Sequence, residues 1–307
     1  MNRKMFLGLF LCLLSTSVFA QSNLLNAKKP EDIGKKTAAQ DSLDNDTPLP
    51  YGYVGDRDIL FSKKVWERID LNQRINFPLY FPVEDLTPDR RPLYNVLMEA
   101  VKDSTISEVF SDSYFNTKLT YKDIEAKLEN VRISDEGTEI MNEDLVAYQS
   151  GKKKLDEQYV IKTKIEADAI TAYDIVGVWY FDKRQGELKY RILGISPLAP
   201  DVNVLAQDNV TEEQKAELNG LFWIYYPSAR DVLHKASAFN EKNSAIPINF
   251  DHLLNARRFS ATITKEENVY GDRDIQDYLK DQSQMQLLEA ERVKEKIRNF
   301  EQDMWNY

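Results

Sequence analysis

Apolar side chains recur along this chain with two different periods, and the change of period marks its organisation. In Asp58 to Leu71, Phe61, Val65 and Ile69 fall four residues apart, which predicts a short amphipathic helix. Pro78 and Pro82 in the following FPLYFP segment predict extended chain. A second helix is predicted from Pro92, with Leu93, Val96, Leu97, Ala100 and Val101 on one face. Ile106 to Phe110 reads as a strand. Thr120 to about Leu128 reads as a third helix, with Thr120 and Asp123 as its capping box. From Tyr159 the period becomes two: Tyr159, Ile161, Thr163 and Ile165 alternate with Val160, Lys162 and Lys164. Ala169 to Phe181 is rich in β-branched and aromatic residues. After the turn signal DKRQGE, Leu188, Tyr190 and Ile192 alternate with Lys189 and Arg191, which predicts a hairpin with one wet face. Leu221 to Tyr226 and Phe259 to Ile263 are further strand candidates, separated by helices beginning near Pro227 and Asn249. Hairpins without a regular βαβ rhythm predict the α+β class: a mainly antiparallel sheet with flanking helices, a flexible N-terminal lead and a long C-terminal helix.

That last helix is predicted over roughly Asp274 to Asp303. Val293, Ile297, Phe300 and Met304 form a seam that suits either the protein's own body or a neighbouring subunit. The charged residues around it read as a solvated face. At the other end, Arg3 and Lys4 precede an apolar run from Met5 to Leu14, and Val18-Phe19-Ala20 resembles an export cleavage site. Residues 21–50 contain no aromatic residue and are rich in Lys, Asp, Ser and Pro, a composition that cannot offset the entropy of ordering. The expected organisation is a signal peptide over 1–20, a disordered lead over 21–50, an α+β domain over 51–268 and the C-terminal helix over 269–307.

Composition narrows the chemistry. The 307 residues carry 40 basic and 50 acidic side chains, which argues against a general nucleic-acid binder. Removing Arg3 and Lys4 with the signal takes the formal charge from −10 to −12, and disfavours direct attachment to an anionic membrane. The single cysteine, Cys12, lies within the apolar core of the signal, so the mature chain has no thiolate, disulfide or cysteine metal site. Asp41, Asp44 and Asp46 lack the glycine and terminal glutamate of a calcium loop. No GxSxG, HExxH, Walker or GxGxxG motif occurs. His234 and His252 are the only imidazoles, each within a helical pattern.

GDRDI occurs twice, at Gly55 to Ile59 and at Gly271 to Ile275. Its aspartates suit helix N-termini, and a metal site from Asp56, Asp58, Asp272 and Asp274 requires the two loops to meet in space. What the sequence does supply is aromatic surface with polar tips, in WIYYP (223–227), VWYF (178–181) and FPLYFP (77–82), a residue type used in interfaces and in carbohydrate sites. In a chain without catalytic motifs this favours an interaction protein, with no cofactor or metal expected. The alternative is an exported hydrolase or glycan-binding module of the cell envelope.

The run Trp66-x-Arg68-Ile69-Asp70-Leu71, followed by Asn76, Pro78-Leu79-Tyr80 and Pro82, resembles the GldN (PorN) family of gliding motility and type IX protein secretion. The overall layout agrees along the mature chain. The resemblance implies a periplasmic structural subunit, not an enzyme, that forms rings beneath the outer membrane with the lipoprotein GldK (PorK). It further implies contact with other GldN subunits and linkage to the motor pair GldL and GldM, without membrane insertion. No catalytic residues carry over. Trp66, Arg68, Asp70, Tyr80, Trp223, Tyr225 and Tyr226 are the candidate partner-interface residues, because they concentrate aromatic groups beside proline-constrained chain.

Overall fold

The computed structural model describes residues 47–84, 90–143, 155–207, 210–240 and 248–305, with Lys29, Leu86 and Lys153 as isolated positions. The predicted signal segment, nearly all of the predicted lead, including Asp41, Asp44 and Asp46, and the last two residues lie outside the described residues. The strands are β1 (Ile59–Asp70), β2 (Val109–Phe110), β3 (Lys118–Leu119), β4 (Glu129–Ile133), β5 (Val160–Lys164), β6 (Ala172–Asp182), β7 (Glu187–Pro200), β8 (Leu218–Gly220), β9 (Trp223–Tyr225), β10 (Ser237–Ala238), β11 (Ile248–Asn249) and β12 (Thr262–Glu266). Among the helices are α1 (Leu93–Lys102), α2 (Tyr121–Leu128), α3 (Tyr226–Lys235), α4 (Phe250–Asn255) and α5 (Ser283–Trp305). Eight strands form one antiparallel sheet in the order β12-β1-β6-β7-β9-β2-β3, with β8 also on β7. The fold is α+β, with a mainly antiparallel sheet, flanking helices and a long C-terminal helix.

The segment predicted as the first helix is instead β1, the second strand in the sheet. A spacing of four fits both periods, because every fourth residue of a strand also returns to the same face. The polar residues between the apolar ones hid the alternation. Lys63 and Glu67 share the face of Phe61, Val65 and Ile69, since β1 runs in unbroken register with β6 from Phe61 to Asp70. Both are neutralised there: Lys63 pairs with Glu266, and Glu67 with Arg257. FPLYFP also departs from expectation. Phe77–Tyr80 forms one helical turn, with Pro78 at its start, where no amide donor is needed.

α1 and α2 form as predicted. The predicted stripe of α1 is buried, and Thr120 and Asp123 make the reciprocal capping box at α2. The hairpin forms as β6 and β7, closed by the Gly186 amide on the Asp182 carbonyl at 2.8 Å, with Gly186 at φ +66°. It lacks a wet face over most of its length: neighbours Ile175 and Val176 are both buried, because Phe115 from the 111–117 loop covers the second face beside Gly194.

The predicted C-terminal helix is broken. Ile275–Tyr278 forms one turn, Asp281 takes φ +59° at the break, and α5 follows. Val293 and Ile297 of its seam join Ile275 and Ala290 over Val65 and Ile263, and Phe300 stacks on Phe61 at 4.3 Å. The seam therefore packs on the protein's own body. A larger core, from Ile69, Tyr173, Ile175 and Ile195 to the inner faces of α1 to α4, lies beside this smaller one. The Glu67–Arg257 pair stands between them on β1.

Candidate functional site

The opposite face of β1 presents Ser62, Lys64, Trp66, Arg68 and Asp70. Register extends this face across the sheet: Trp66 stands opposite Val176, Val176 opposite Gly194, and Gly194 opposite Tyr225. Trp223, two residues from Tyr225, is on the same side. A groove of about 550 Å³ opens here, lined by Trp66, Arg68, Asp70, Asp174, Trp223 and Asp274, with Thr262–Lys265 of β12 along it and Leu287 of α5 at its edge.

Each wall has a local cause. Arg68 and Asp174 are register partners, and the guanidinium binds the carboxylate through two parallel hydrogen bonds of 2.8 and 3.0 Å. Asp70 ends β1, its carboxylate accepting from the Asn72 amide at 2.9 Å. Asn76 is fully buried and fixes this corner to β12: it donates to the carbonyls of Asp70 and Ser260 and accepts from the Ser260 amide. Trp66 is only 4% exposed. Its ring carries the Lys265 ammonium at 4.5 Å and the Tyr114 ring at 5.6 Å.

The second GDRDI loop forms the far wall. Asp272 accepts from the Asn268 amide and the Tyr114 hydroxyl, each at 2.8 Å. Burial and Asp272 push the Tyr114 hydroxyl up to about 12. Burial opposes ionisation of Asp272, but the Asn268 amide and Tyr114 hydroxyl outweigh it and hold the carboxyl below its ordinary range. Asp274 is exposed at the rim of the groove; desolvation by the walls beside it raises its carboxyl above the ordinary range, with Lys265 opposing. The first GDRDI loop is elsewhere. Asp58 pairs with Arg184 beside the β6–β7 turn, roughly 30 Å along β1 from Arg68. The two loops do not meet.

Four of the seven candidate interface residues, Trp66, Arg68, Asp70 and Trp223, thus share one groove. Tyr225 is 40% exposed on the same face, with its ring edge on Phe115. Tyr80 lies apart, against Phe81 and the Asp168 carbonyl. Tyr226 is fully buried, its hydroxyl on the Asp251 carboxylate at 2.9 Å, beside the Arg230–Asp251 pair. It presents no surface to a partner. Asp174, Lys265 and Tyr114 escaped the sequence reading, and Asp274 entered it only as a conceivable metal ligand and helix cap. Only Asp274 carried a signal, through the repeated GDRDI.

Among the described residues no group of three or more histidine, cysteine or acidic side chains is placed to hold a metal, and no helix is long and apolar enough to cross a membrane. No curated protein matches the chain. Residues 54–306 match the family described as gliding motility associated protein GldN, and the chain belongs to that family.

Proposed function

We propose that this protein is a non-enzymatic structural subunit of the gliding-motility and type IX secretion machinery, exported to the periplasm by a cleaved signal peptide at 1–20. It sits at the inner side of the outer membrane and assembles into rings with the lipoprotein GldK (PorK). Those rings also join neighbouring subunits and are linked to the GldL–GldM motor. The observation that carries this reading is the family match over nearly the whole body. The net acidity of the chain supports attachment through a lipidated partner rather than directly to anionic lipid. Trp66, Arg68, Asp70, Trp223 and Tyr225 supply contacts, because they stand together on the sheet face that α5 leaves open. Membership in a motility family, together with an Asp174 already engaged by Arg68, favours this over an exported hydrolase.

The test is copurification. Trp223→Ala with Tyr225→Ala, both outside the buried core, is expected to retain its circular dichroism spectrum and lose GldK. A folded variant that still brings down the lipoprotein at wild-type yield removes the groove from the contact surface. Electron microscopy and mass spectrometry of material purified from the envelope would test the ring itself: a monodisperse monomer with no companion refutes it.

A further inference from the structure

Tyr51 and Tyr53 are the first aromatic residues after 21–50, which hold none, and they lie on a strap of chain, residues 49–54, that belongs to no helix or strand. Arginines hold this strap to the body. The Tyr51 ring meets the guanidiniums of Arg191 and Arg230 at 4.6 and 4.2 Å, and its hydroxyl donates to Asn255 Oδ1 at 2.8 Å. Arg191 donates to the Gly52 carbonyl at 3.0 Å, and Arg184 to that of Tyr53 at 2.6 Å. The clamp is braced from beneath: Arg230 is forked onto the buried Asp251 at 2.9 and 3.0 Å, and Asn255 donates to Asp251 and to the Tyr226 hydroxyl. It is therefore a preorganised receptor for a tyrosine and the main chain that follows it, and its occupant in one isolated chain is the chain's own strap.

Two observations point beyond a contact within one chain. Leu49 and Tyr53, two residues to either side of the clamped tyrosine, are 83% and 85% exposed. Two large apolar groups left in water around an anchored aromatic mark a contact surface. The strap is also loosely joined. The turn Asp56–Asp58 that follows it buries no side chain, and among the described residues the first backbone bond from this end of the chain to the sheet is at Asp58, whose carbonyl takes the Lys183 amide at 2.8 Å. Rotation within residues 54–57 frees the strap without disturbing the sheet, and lets Tyr51 reach about 20 Å from the joint, enough to cross to an abutting molecule.

From these observations we propose that the strap is exchanged between copies of this chain: residues 49–54 of one subunit fill the Arg191–Arg230 clamp of the next. The exchanged contacts are the ones made within a single chain, so none is lost, while Leu49 and Tyr53 become covered between the two bodies. An arm that leaves a subunit and a clamp that receives one are two different surfaces, as a closing ring requires. The exchange gives the proposed ring a seam between identical subunits, and rests on that reading.

Cys12, the only cysteine, precedes the predicted cleavage site, so cysteines can be placed at will in the mature chain. Tyr53→Cys in a chain with one tag and Gln185→Cys, which lines the same groove, in a chain with another are co-expressed in the protein's own host and treated in the envelope with a short bismaleimide. A covalent adduct carrying both tags is expected, at least tenfold above that formed when the second cysteine replaces Lys162 of β5, which lies by the other end of β7. Tyr51→Ala in the strap-donating chain should lower the adduct at least tenfold with the circular dichroism spectrum retained, and Tyr51→Phe, which keeps the ring for the guanidiniums, should preserve most of it. No adduct with both tags, an adduct equal to the Lys162 control, or one that Tyr51→Ala leaves unchanged overturns the exchange and returns the strap to its own chain. Rings in electron micrographs of the same extracts are read separately: rings without the adduct remove the exchange alone, whereas the adduct without rings keeps the exchange and removes the ring.

Discussion

Glu67 is the residue most at odds with its position. It is 1% exposed on the inner face of β1, and its stability depends on Arg257, whose guanidinium donates to both carboxylate oxygens at 2.9 and 3.1 Å. Arg257 in turn lies 4.1 Å over the Tyr190 ring. Removing one member of such a buried pair costs about 3–5 kcal/mol, because the other charge is left desolvated. Glu67→Ala is expected to lose that much in a urea denaturation series, while the double replacement Glu67→Leu with Arg257→Leu should recover most of it. A smaller effect follows from Asp112. Burial opposes its charge, but the amides of Thr117, Asn116 and Tyr114 at 3.0, 3.3 and 2.9 Å hold its carboxyl below the ordinary range. A depressed folded value means stability present at neutral pH and lost as pH falls below about 4. Protection factors for amide exchange in the 111–117 loop, taken against the intrinsic rate at each pH, should therefore fall on acidification, and Asp112→Asn should flatten that dependence. The Glu67–Arg257 partnership could not be read in the sequence. Glu67 and Arg257 are 190 residues apart, and a charged residue in an apolar stripe looks like a solvated one until its partner is placed.

At the scale of elements, what was legible followed local chemistry. Thr120 with Asp123, the α1 stripe and the glycine of the DKRQGE turn each act within a few residues, and each element forms where it was expected. β1 failed because Phe61, Val65 and Ile69 satisfy two periods at once. Its partners on β6 and β12, which decide the matter, lie more than 100 and about 200 positions away. The same error concealed the groove, for only in a strand do Trp66, Arg68 and Asp70 share a face. Close packing across the sheet makes this testable. A Cβ on Gly177 would lie 2.3 Å from the Tyr190 ring, and one on Gly194 2.6 Å from Phe115. Gly177→Ala forces Tyr190 away from Arg257 and is expected to lower the melting temperature more than an alanine at exposed Gly52, where nothing lies within 4 Å. The C-terminal helix permits a harsher trial. Truncation after Gly271 deletes Ile275, Val293 and Ile297 from the second core, each worth about 1.5–3 kcal/mol of burial. That is comparable to the whole stability of a typical domain. The expected product is an unfolded or aggregating chain in light scattering and circular dichroism; a soluble folded monomer would show that the helix is dispensable to the body.

For the whole molecule, the docking of α5 in cis changes where assembly can occur. With Val293 and Ile297 consumed internally, the ring proposed above cannot be stitched through that seam, and the Trp66–Trp223 groove is a face left open for it. Rings close through heterologous contacts, so each subunit carries two different surfaces and a closed ring needs every seam intact. This separates two uses of the groove. Should it face the next subunit, a variant damaged only there still adds to a growing arc by its second surface and then stops growth. Co-expressing the Trp223→Ala, Tyr225→Ala variant with wild type at equal levels is then expected to reduce complete rings far below half, counted in electron micrographs of envelope extracts. Should the groove face the lipoprotein alone, each damaged subunit loses only its own anchor, and rings persist with GldK depleted to about half. Because the damaged positions lie on the sheet face opposite the small core, the variant should fold normally in both cases, so the ring count and the GldK stoichiometry report the geometry of assembly rather than the stability of the chain.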